Sequence, residues 1–283
     1  MAPLFLVTGA TGNTGRPVVA GLLAEGYRVR ALTRAPERAA LPAEVEVVAG
    51  DVTRPADVAA AAQGATAAYL IWPGTDEAAT GVGEVVDALS RHIGRVVYLS
   101  ATGAEEAGIW GAVERVIRNS VPEWTFLRVT GLAVNALAWA DQAHRGVVRA
   151  PFGQMRRSLV HEHDVAAVAV RALVDEGHVG RSYVITGPEA ISQADQVRVI
   201  ADEIGQTAVW EEQPPDEARL ALAADVGDDF ADAILQAWSE NADTPEAVSG
   251  DVAHVLGRPA LTFRQWARDH RTDFVAGQDD GES

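Results

Sequence analysis

Three glycines at intervals of three constrain this chain more than any other feature of its sequence. They lie in the stretch Val7-Thr8-Gly9-Ala10-Thr11-Gly12-Asn13-Thr14-Gly15. Apolar residues 4–7 precede this stretch, and residues 17–23 follow it with apolar positions at helical spacing. This order predicts a buried strand, a tight glycine turn and a helix. Because a turn that brings backbone N–H groups against a pyrophosphate has no room for side chains at every position, the stretch predicts dinucleotide binding.

Each residue of the turn has an expected role. Gly9 permits the tight turn, Gly12 lets the backbone approach the phosphates, and Gly15 lets the start of the helix pack against the strand. The N-terminus of the helix directs a partial positive charge at the ligand. The predicted cofactor site also includes the polar residues of the turn, which are Thr8, Thr11, Asn13 and Thr14.

The alternation of strand and helix continues through the first half of the chain. Strands are predicted at 4–7, 29–33, 45–48, 67–72, 95–100 and 125–129, and helices near residue 37 and at 58–62, 81–91 and 111–119. Strands separated by helices of this length predict right-handed crossovers. The predicted fold class is therefore α/β, with a Rossmann-type doubly wound parallel sheet.

The pattern loosens beyond residue 130. The stretch Ser158-Leu159-Val160, a strand at 182–186 and helices at 165–174, 193–203 and 216–239 predict a smaller C-terminal substrate lobe, interleaved with the last sheet strands. We divide the chain into an NAD(P)-binding core at 1–155, a substrate-binding lobe at 156–275 and a tail at 276–283. The tail is polar and acidic and is predicted to be disordered.

The end of the second predicted strand selects the dinucleotide. A site for NAD usually has an acidic residue there, whereas a site for NADP has a basic one. This chain has Arg34, with Thr33 before it, and Arg16 is also expected near the 2′-phosphate. Although these arginines could be ordinary surface charges, their position after a buried strand favours NADP (NADPH) as the cofactor.

Residues after the next three strands extend the predicted cofactor site. Asp51 follows the third strand and could accept a hydrogen bond from the adenine amino group while Val52 packs on the ring, or Asp51 could only cap the next helix. Trp72 could wall the nicotinamide side or belong to the core. Ser100 lies where open α/β sheets bind ligands, so we assign it to both cofactor and catalysis, with capping of a turn as the alternative.

Composition excludes several functions. The formal charge of −17, from 40 acidic and 23 basic residues, argues against a nucleic-acid partner. The absence of cysteine excludes disulfides, thiolate metal sites and a cysteine nucleophile. Residues 1–7 do not resemble a signal peptide, and no apolar run approaches the roughly 18 residues of a membrane helix. We therefore expect a soluble, cytoplasmic monomer or homodimer with a small-molecule substrate and no membrane partner.

A pair of histidines raises the question of a metal site. His161 and His163 would project to one side of an extended segment. No third ligand follows at a suitable spacing, and Asp164 is typical of a helix cap, so no metal is predicted. One of these histidines could instead line a substrate pocket. Trp110 and Trp139 could also line an aromatic pocket, or simply pack in the core.

Several stretches resemble one family. These are TGATGNTG, the segment LTRAPERAALPAEVEVVAGDVTRPADVAAAAQGATAAYLIWP, residues 96–100, 123–128 and 159–169, Glu114 and Asn135. Together they resemble the atypical short-chain dehydrogenase/reductase group, which includes NmrA-like proteins, bacterial NADPH:quinone oxidoreductases and triphenylmethane reductase. The likeness covers about residues 3–205. It implies a Rossmann core, NADP binding and substrate specificity from the C-terminal lobe, with Asn135 as a second catalytic candidate on the substrate side.

The sequence departs from the short-chain dehydrogenases in its acid–base residues. Typical members use a tyrosine as proton donor and a lysine four residues later, where this chain has Trp110 and Glu114. The resemblance then implies an NADPH-dependent reductase of a small aromatic, quinonoid or enone-type substrate, because hydride transfer to an electron-poor ring needs little acid catalysis. The alternatives are an NmrA-like NADP-binding redox sensor without turnover, and a non-redox isomerase, cyclase or dehydratase of a biosynthetic intermediate.

Overall fold

The computed structural model describes residues 2–73, 81–104 and 108–274. These residues form two compact units. The first unit draws on residues 1–129, 162–185 and 251–259, and the second on 130–161, 186–250 and 260–283. Each unit thus combines three segments of the chain. The predicted tail at 276–283 lies outside the described residues.

The described strands are numbered in chain order. They are β1 (Leu4–Thr8), β2 (Arg28–Thr33), β3 (Glu46–Ala49), β4 (Ala67–Leu70), β5 (Arg95–Ala101), β6 (Glu123–Val129), β7 (Val147–Ala150), β8 (Arg156–Arg157), β9 (Arg181–Ile185), β10 (Ile191–Ser192) and β11 (Val209–Glu212). Seven of them form the sheet of the first unit in the order β3-β2-β1-β4-β5-β6-β9. All six of its pairings are parallel. The predicted α/β fold with a Rossmann-type parallel sheet is confirmed.

The described helices follow the same numbering. They are α1 (Gly15–Ala24), α2 (Pro55–Ala62), α3 (Val82–Ser90), α4 (Gly108–Ser120), α5 (Ala140–His144), α6 (Glu162–Val174), α7 (Gln193–Ile204), α8 (Pro215–Val226), α9 (Asp228–Asn241), α10 (Asp251–Leu256) and α11 (Phe263–Asp269). Two 3₁₀ helices cover Pro36–Arg38 and Ala133–Trp139. None of the helices in the described part of the chain is long and apolar enough to cross a membrane.

Helices cover both faces of the sheet in the first unit. Apolar residues of α2, α3 and α4 pack with the strands into one buried cluster on one face. Helices α1 and α6 pack on the strands and on each other, and a Cβ at Gly21 of α1 would lie 3.0 Å from Val170 of α6. Helices cover β1 and β4 on both faces, so all residues of these two strands are buried, and nearly all of them are apolar.

The second unit contains two small sheets and a helical hairpin. Strand β7 pairs in parallel with β11, and β8 pairs antiparallel with β10. Trp266, Phe263 and Ile200 contribute to its buried core. The single helix predicted over 216–239 is wrong, since Gly227 adopts a φ of 87° and separates α8 from α9.

Candidate cofactor site

The glycine turn connects β1 to α1 at the carboxyl edge of the sheet. The Gly12 N–H donates to the Gly9 carbonyl oxygen at 2.9 Å, and the Arg16 N–H donates to the Gly12 carbonyl oxygen at 3.1 Å. Gly9, Thr11, Gly12 and Asn13 are exposed, so backbone of the turn faces solvent. Strand order changes direction between β1 and β4, and this switch point is where open α/β sheets bind ligands.

Two glycines of the turn are required by its geometry. Gly9 has a φ of 61°, in the left-handed region that favours glycine. A Cβ at Gly15 would lie 2.1 Å from the Gly9 carbonyl oxygen, so only glycine allows α1 to begin so close to the turn. At Gly12 a Cβ would meet only that same oxygen, at 3.3 Å. The fold thus needs Gly9 and Gly15, whereas the absence of a side chain at Gly12 leaves the backbone of the turn exposed.

Two threonines of the predicted site bond to β4 and the residue that follows it. The Thr8 hydroxyl is buried, donates to carbonyl oxygens of Tyr69 and Ile71, and accepts from the Ile71 N–H at 2.8 Å. The Thr14 hydroxyl accepts from the buried Tyr69 hydroxyl at 3.3 Å. These side chains fix the turn against the neighbouring strand. Their contribution to the cofactor site in this structure is therefore to hold the exposed backbone in place.

The two arginines expected near the 2′-phosphate differ in their surroundings. Arg16 donates to the carbonyl oxygens of Thr11, Ala39 and Ala40 at 2.9–3.0 Å, so its guanidinium ties the turn to the segment after β2. Arg34 follows β2 and is exposed, and no described residue forms a hydrogen bond or an ion pair with its guanidinium. Arg34 is consequently a cation that remains available to an anionic ligand at this edge.

Asp51 shapes the loop after β3. Its Oδ1 accepts from the N–H and the hydroxyl of Thr53 at 2.9 and 2.8 Å. The Thr53 N–H contributes most to lowering the pKa of Asp51, and the nearby Arg34 charge acts in the same direction. Helix α2 begins at Pro55 with Arg54 as its N-cap, so Asp51 closes a turn rather than capping that helix. Val52 is half-buried against the apolar cluster of the first unit.

Trp72 follows β4, and Ser100 lies near the end of β5, the next strand in the sheet. Trp72 is 4% exposed, and its indole N–H has no hydrogen-bond partner among the described residues. Ser100 is buried near the end of β5, and its hydroxyl donates to Glu114 Oε1 at 2.7 Å. Since this donation uses its only proton, the Ser100 oxygen offers lone pairs to any further partner.

Glu114 is the buried charge that sequence reasoning did not connect with Ser100. Arg128 binds it through both ends of its guanidinium fork, Nε to Oε1 at 2.9 Å and Nη2 to Oε2 at 2.7 Å. Ser100 and Arg128 are register partners on β5 and β6. A signal was present, because Glu114 shares the apolar face of its helix with Val113 and Ile117, and a charge there requires a partner.

Tyr98 lies beneath this network on the same strand as Ser100. It is fully buried, and its hydroxyl has no hydrogen-bond partner in the described ranges. Burial, reinforced by the Glu114 carboxylate, raises the pKa of Tyr98 far above its usual range. The phenol therefore stays protonated. Trp110 is partly buried against the apolar cluster of the first unit.

The remaining predicted residues belong mainly to the second unit. Asn135 is exposed and lines a cavity of about 270 Å³ within that unit, together with Trp139. His161 is buried there, with its Nε2 3.3 Å from Asp269 Oδ2. His163 belongs to α6 of the first unit.

A parallel sheet with a glycine turn between its first strand and first helix defines a dinucleotide-binding protein of the Rossmann type. The sequence matches the family described as NAD(P)H-binding over residues 9–176. This match spans more than half of the chain, which therefore belongs to the NAD(P)H-binding family.

Three similar proteins cover nearly the whole chain. A (4-alkanoyl-5-oxo-2,5-dihydrofuran-3-yl)methyl phosphate reductase of Streptomyces griseus is 37% identical over 96% of this chain and 99% of its own length. An NAD(P)H azoreductase of Xenophilus azovorans is 28% identical over 96% of this chain and all of its own length. The NADPH complex of an NADPH-dependent quinone oxidoreductase from Escherichia coli has a TM-score of 0.80 at 24% identity, covering 94% of this chain and 99% of that one.

These findings confirm that the chain belongs to an NAD(P)H-binding family and confirm the predicted NAD(P)H cofactor. The curated relatives named above are reductases.

Proposed function

We propose that this protein is an NADPH-dependent reductase of a small conjugated acceptor, of the aromatic, quinonoid or enone type. The observation that carries the proposal is the exposed backbone of the glycine turn after β1, together with Arg34 after the neighbouring strand β2, whose guanidinium has no partner among the described residues. The relative in Streptomyces griseus supports the acceptor class, because its name describes an unsaturated lactone that bears an acyl group. In such a ring the double bond is electron-poor and accepts a hydride readily.

The choice of NADPH over NADH rests on Arg34. A guanidinium forms charge-assisted, frequently bidentate hydrogen bonds with a phosphate. The hydroxyls of an unphosphorylated ribose would instead need an acidic residue at the end of β2. In this proposal the N-terminus of α1 and the N–H groups of the turn hold the pyrophosphate, while Asp51, Val52 and Trp72 contact the rest of the cofactor.

The acid–base groups favour an acceptor that needs no strong proton donor. All 23 basic residues of the chain are arginine, so a lysine is absent from the whole sequence. Trp110 has no acidic proton, and Glu114 is held by Arg128. We assign Ser100 to accepting a hydrogen bond rather than donating a proton, and Asn135 to contacting the substrate in the second unit. When bound, NADPH would supply the hydride, and water would supply the proton.

Cofactor oxidation tests the proposal. NADPH and NADH are titrated against the protein, and NADPH absorbance is then followed with menadione, 2-cyclohexenone, methyl red and malachite green as acceptors. We expect oxidation of NADPH by at least one acceptor and its loss in Gly12→Ala, a position where the added methyl group faces the ligand and not the core.

Tight NADPH binding without oxidation by any of these acceptors would contradict turnover and favour the redox-sensor function. A cofactor that stays bound and partly reduced through purification would favour the isomerase, cyclase or dehydratase instead. The cytoplasmic location and the monomeric or homodimeric state stay predictions.

A further inference from the structure

The second unit contains a cavity of about 270 Å³ whose walls differ in polarity. The helical hairpin α8–α9 contributes only apolar side chains among the described lining residues, including Leu222, Leu235 and Trp238. Trp139 and Leu159 extend this apolar surface. An apolar portion of this size is suited to an acyl chain or an apolar ring of a ligand.

The rest of the unit contributes polar groups to the cavity. Two arginines, Arg149 and Arg157, line it together with several side-chain amides, and none of the described lining residues is acidic. Each arginine has a glutamate partner that does not itself line the cavity, Glu211 for Arg149 and Glu246 for Arg157, so the described lining presents cationic groups and no carboxylate. Such a wall favours an anion.

Arg157 is held in place with part of its fork unused. Its Nε donates to Glu246 Oε1 and its Nη2 to the Thr130 carbonyl oxygen, both at 2.9 Å. Its Nη1 has no partner in the described part of the chain. With its side chain only 18% exposed, the guanidinium is already ordered, so little conformational entropy is lost when Nη1 binds a ligand.

Arg149 is paired more loosely. Its Nη2 contacts Glu211 Oε1 at 2.6 Å, but the two side chains are 64% and 51% exposed. An ion pair that is so open to water contributes little to stability. The guanidinium of Arg149 is therefore free to exchange this partner for an anion that enters the cavity.

We propose that this cavity binds an amphipathic anion, with a phosphate or carboxylate head on Arg157 and Arg149 and an apolar portion against the α8–α9 hairpin. This inference rests on the proposed function, since it names the class of substrate that the reductase takes. Among conjugated acceptors it selects those that carry an anionic group and an alkyl or aryl extension.

Ligand binding without turnover tests the inference. The full chain of 283 residues is titrated by calorimetry, with and without NADPH, using four probes of the same chain length: octyl phosphate, octanoate, octanol and octyltrimethylammonium. Octyl phosphate is expected to bind about tenfold or more tightly than octanol, because hydrogen bonds to a charged group are worth more than those to a neutral one. Butyl phosphate should bind more weakly than octyl phosphate, by roughly fourfold per methylene removed. Comparing the affinity for octanoate with that for octyl phosphate shows whether the site prefers a carboxylate or a phosphate.

Three variants assign the anion to the two arginines. Arg149→Gln should lower the affinity for octyl phosphate but not for octanol, whereas Arg198→Gln should change neither affinity. Arg198 is the matched control, because its ion pair with Asp195 in the same unit is similarly exposed and it does not line this cavity. Glu246→Gln should raise the affinity for octyl phosphate, since it removes the carboxylate that competes with the ligand for Arg157. A purely structural role of Glu246 would give no gain in affinity.

Equal binding of octanol and octyl phosphate, or binding of the cation alone, would overturn the inference. Failure of every probe to bind while menadione still oxidises NADPH would also overturn it and would leave the proposed reductase intact. If octyl phosphate binds but no acceptor in the panel oxidises NADPH, the anion site stands and the proposed function fails.

Discussion

Replacing Arg34 by alanine isolates the contribution of one guanidinium to cofactor choice. The side chain is exposed and has no hydrogen bond or ion pair within the described residues, so its removal should leave the free energy of unfolding within about 0.5 kcal/mol of the parent value. Any change in affinity then reports on the ligand and not on the fold.

The expected loss follows from the bonds that Arg34 can form. Hydrogen bonds between a charged donor and a phosphate are worth about 1.5–3 kcal/mol, which corresponds to roughly a 10- to 150-fold weaker NADPH complex. NADH carries no 2′-phosphate, so its dissociation constant should change little. The loss for NADPH should also shrink as salt concentration rises, because the site is open to solvent.

Fluorescence titration measures the dissociation constants of NADPH and NADH, and thermal unfolding checks that the variant is still folded. Arg38→Ala is the matched control, since this arginine belongs to the same segment, its side chain is 87% exposed, and its ion pair with Glu37 is long, at 3.9 Å. If Arg34→Ala weakened the binding of NADPH and of NADH equally, or weakened the binding of neither, the assignment of Arg34 to the 2′-phosphate would be refuted.

Three further predictions concern the turn, the buried ion pair and pH. Gly15→Ala should lower the free energy of unfolding, measured in urea, by about 1–3 kcal/mol, because the added methyl group clashes with the turn. Gly12→Ala should weaken NADPH binding, measured by titration, without lowering the free energy of unfolding. Glu114→Ala should lower the free energy of unfolding by about 3–5 kcal/mol because it removes the buried carboxylate that holds the half-buried Arg128, and a loss below about 1 kcal/mol in urea unfolding would contradict this. Burial lowers the pKa of His178, so the unfolded chain takes up this proton first and stability falls as pH drops below about 6.5. Melting temperatures between pH 8 and 5.5 should therefore fall less in His178→Gln than in the parent, and equal slopes would contradict the assignment.

The sheet of the first unit could be predicted from sequence because its strands are buried on both faces. β1, β2 and β6 begin or end within two residues of their predicted limits. The helix at 216–239 was misjudged since its apolar spacing continues across Gly227, whose positive φ ends α8. Strands β7, β8 and β11 were missed because they are short and partly polar, and their pairing depends on distant partners.

The candidate site shows the same division. The glycine turn could be predicted, because its spacing is dictated by local backbone geometry. The distinction between Arg16, which donates to three carbonyl oxygens, and Arg34, which has no partner among the described residues, could not be predicted, since it depends on where the carbonyl groups of Ala39 and Ala40 lie. The cavity of the second unit combines residues about 100 positions apart, from Asn135 to Trp238, and no local pattern connects them.

The interleaved chain has a consequence for folding order. Strand β6 ends at residue 129 and its sheet neighbour β9 begins at residue 181, so the sheet gains its last strand only after a connection of about 50 residues has closed. Parallel pairings over such separations form slowly. On the ribosome, a nascent chain that stops near residue 155 would lack both β9 and α6. Neither unit can therefore be obtained by cutting the gene at a single point, and folding intermediates that expose the free edge of β6 are the expected route to aggregation.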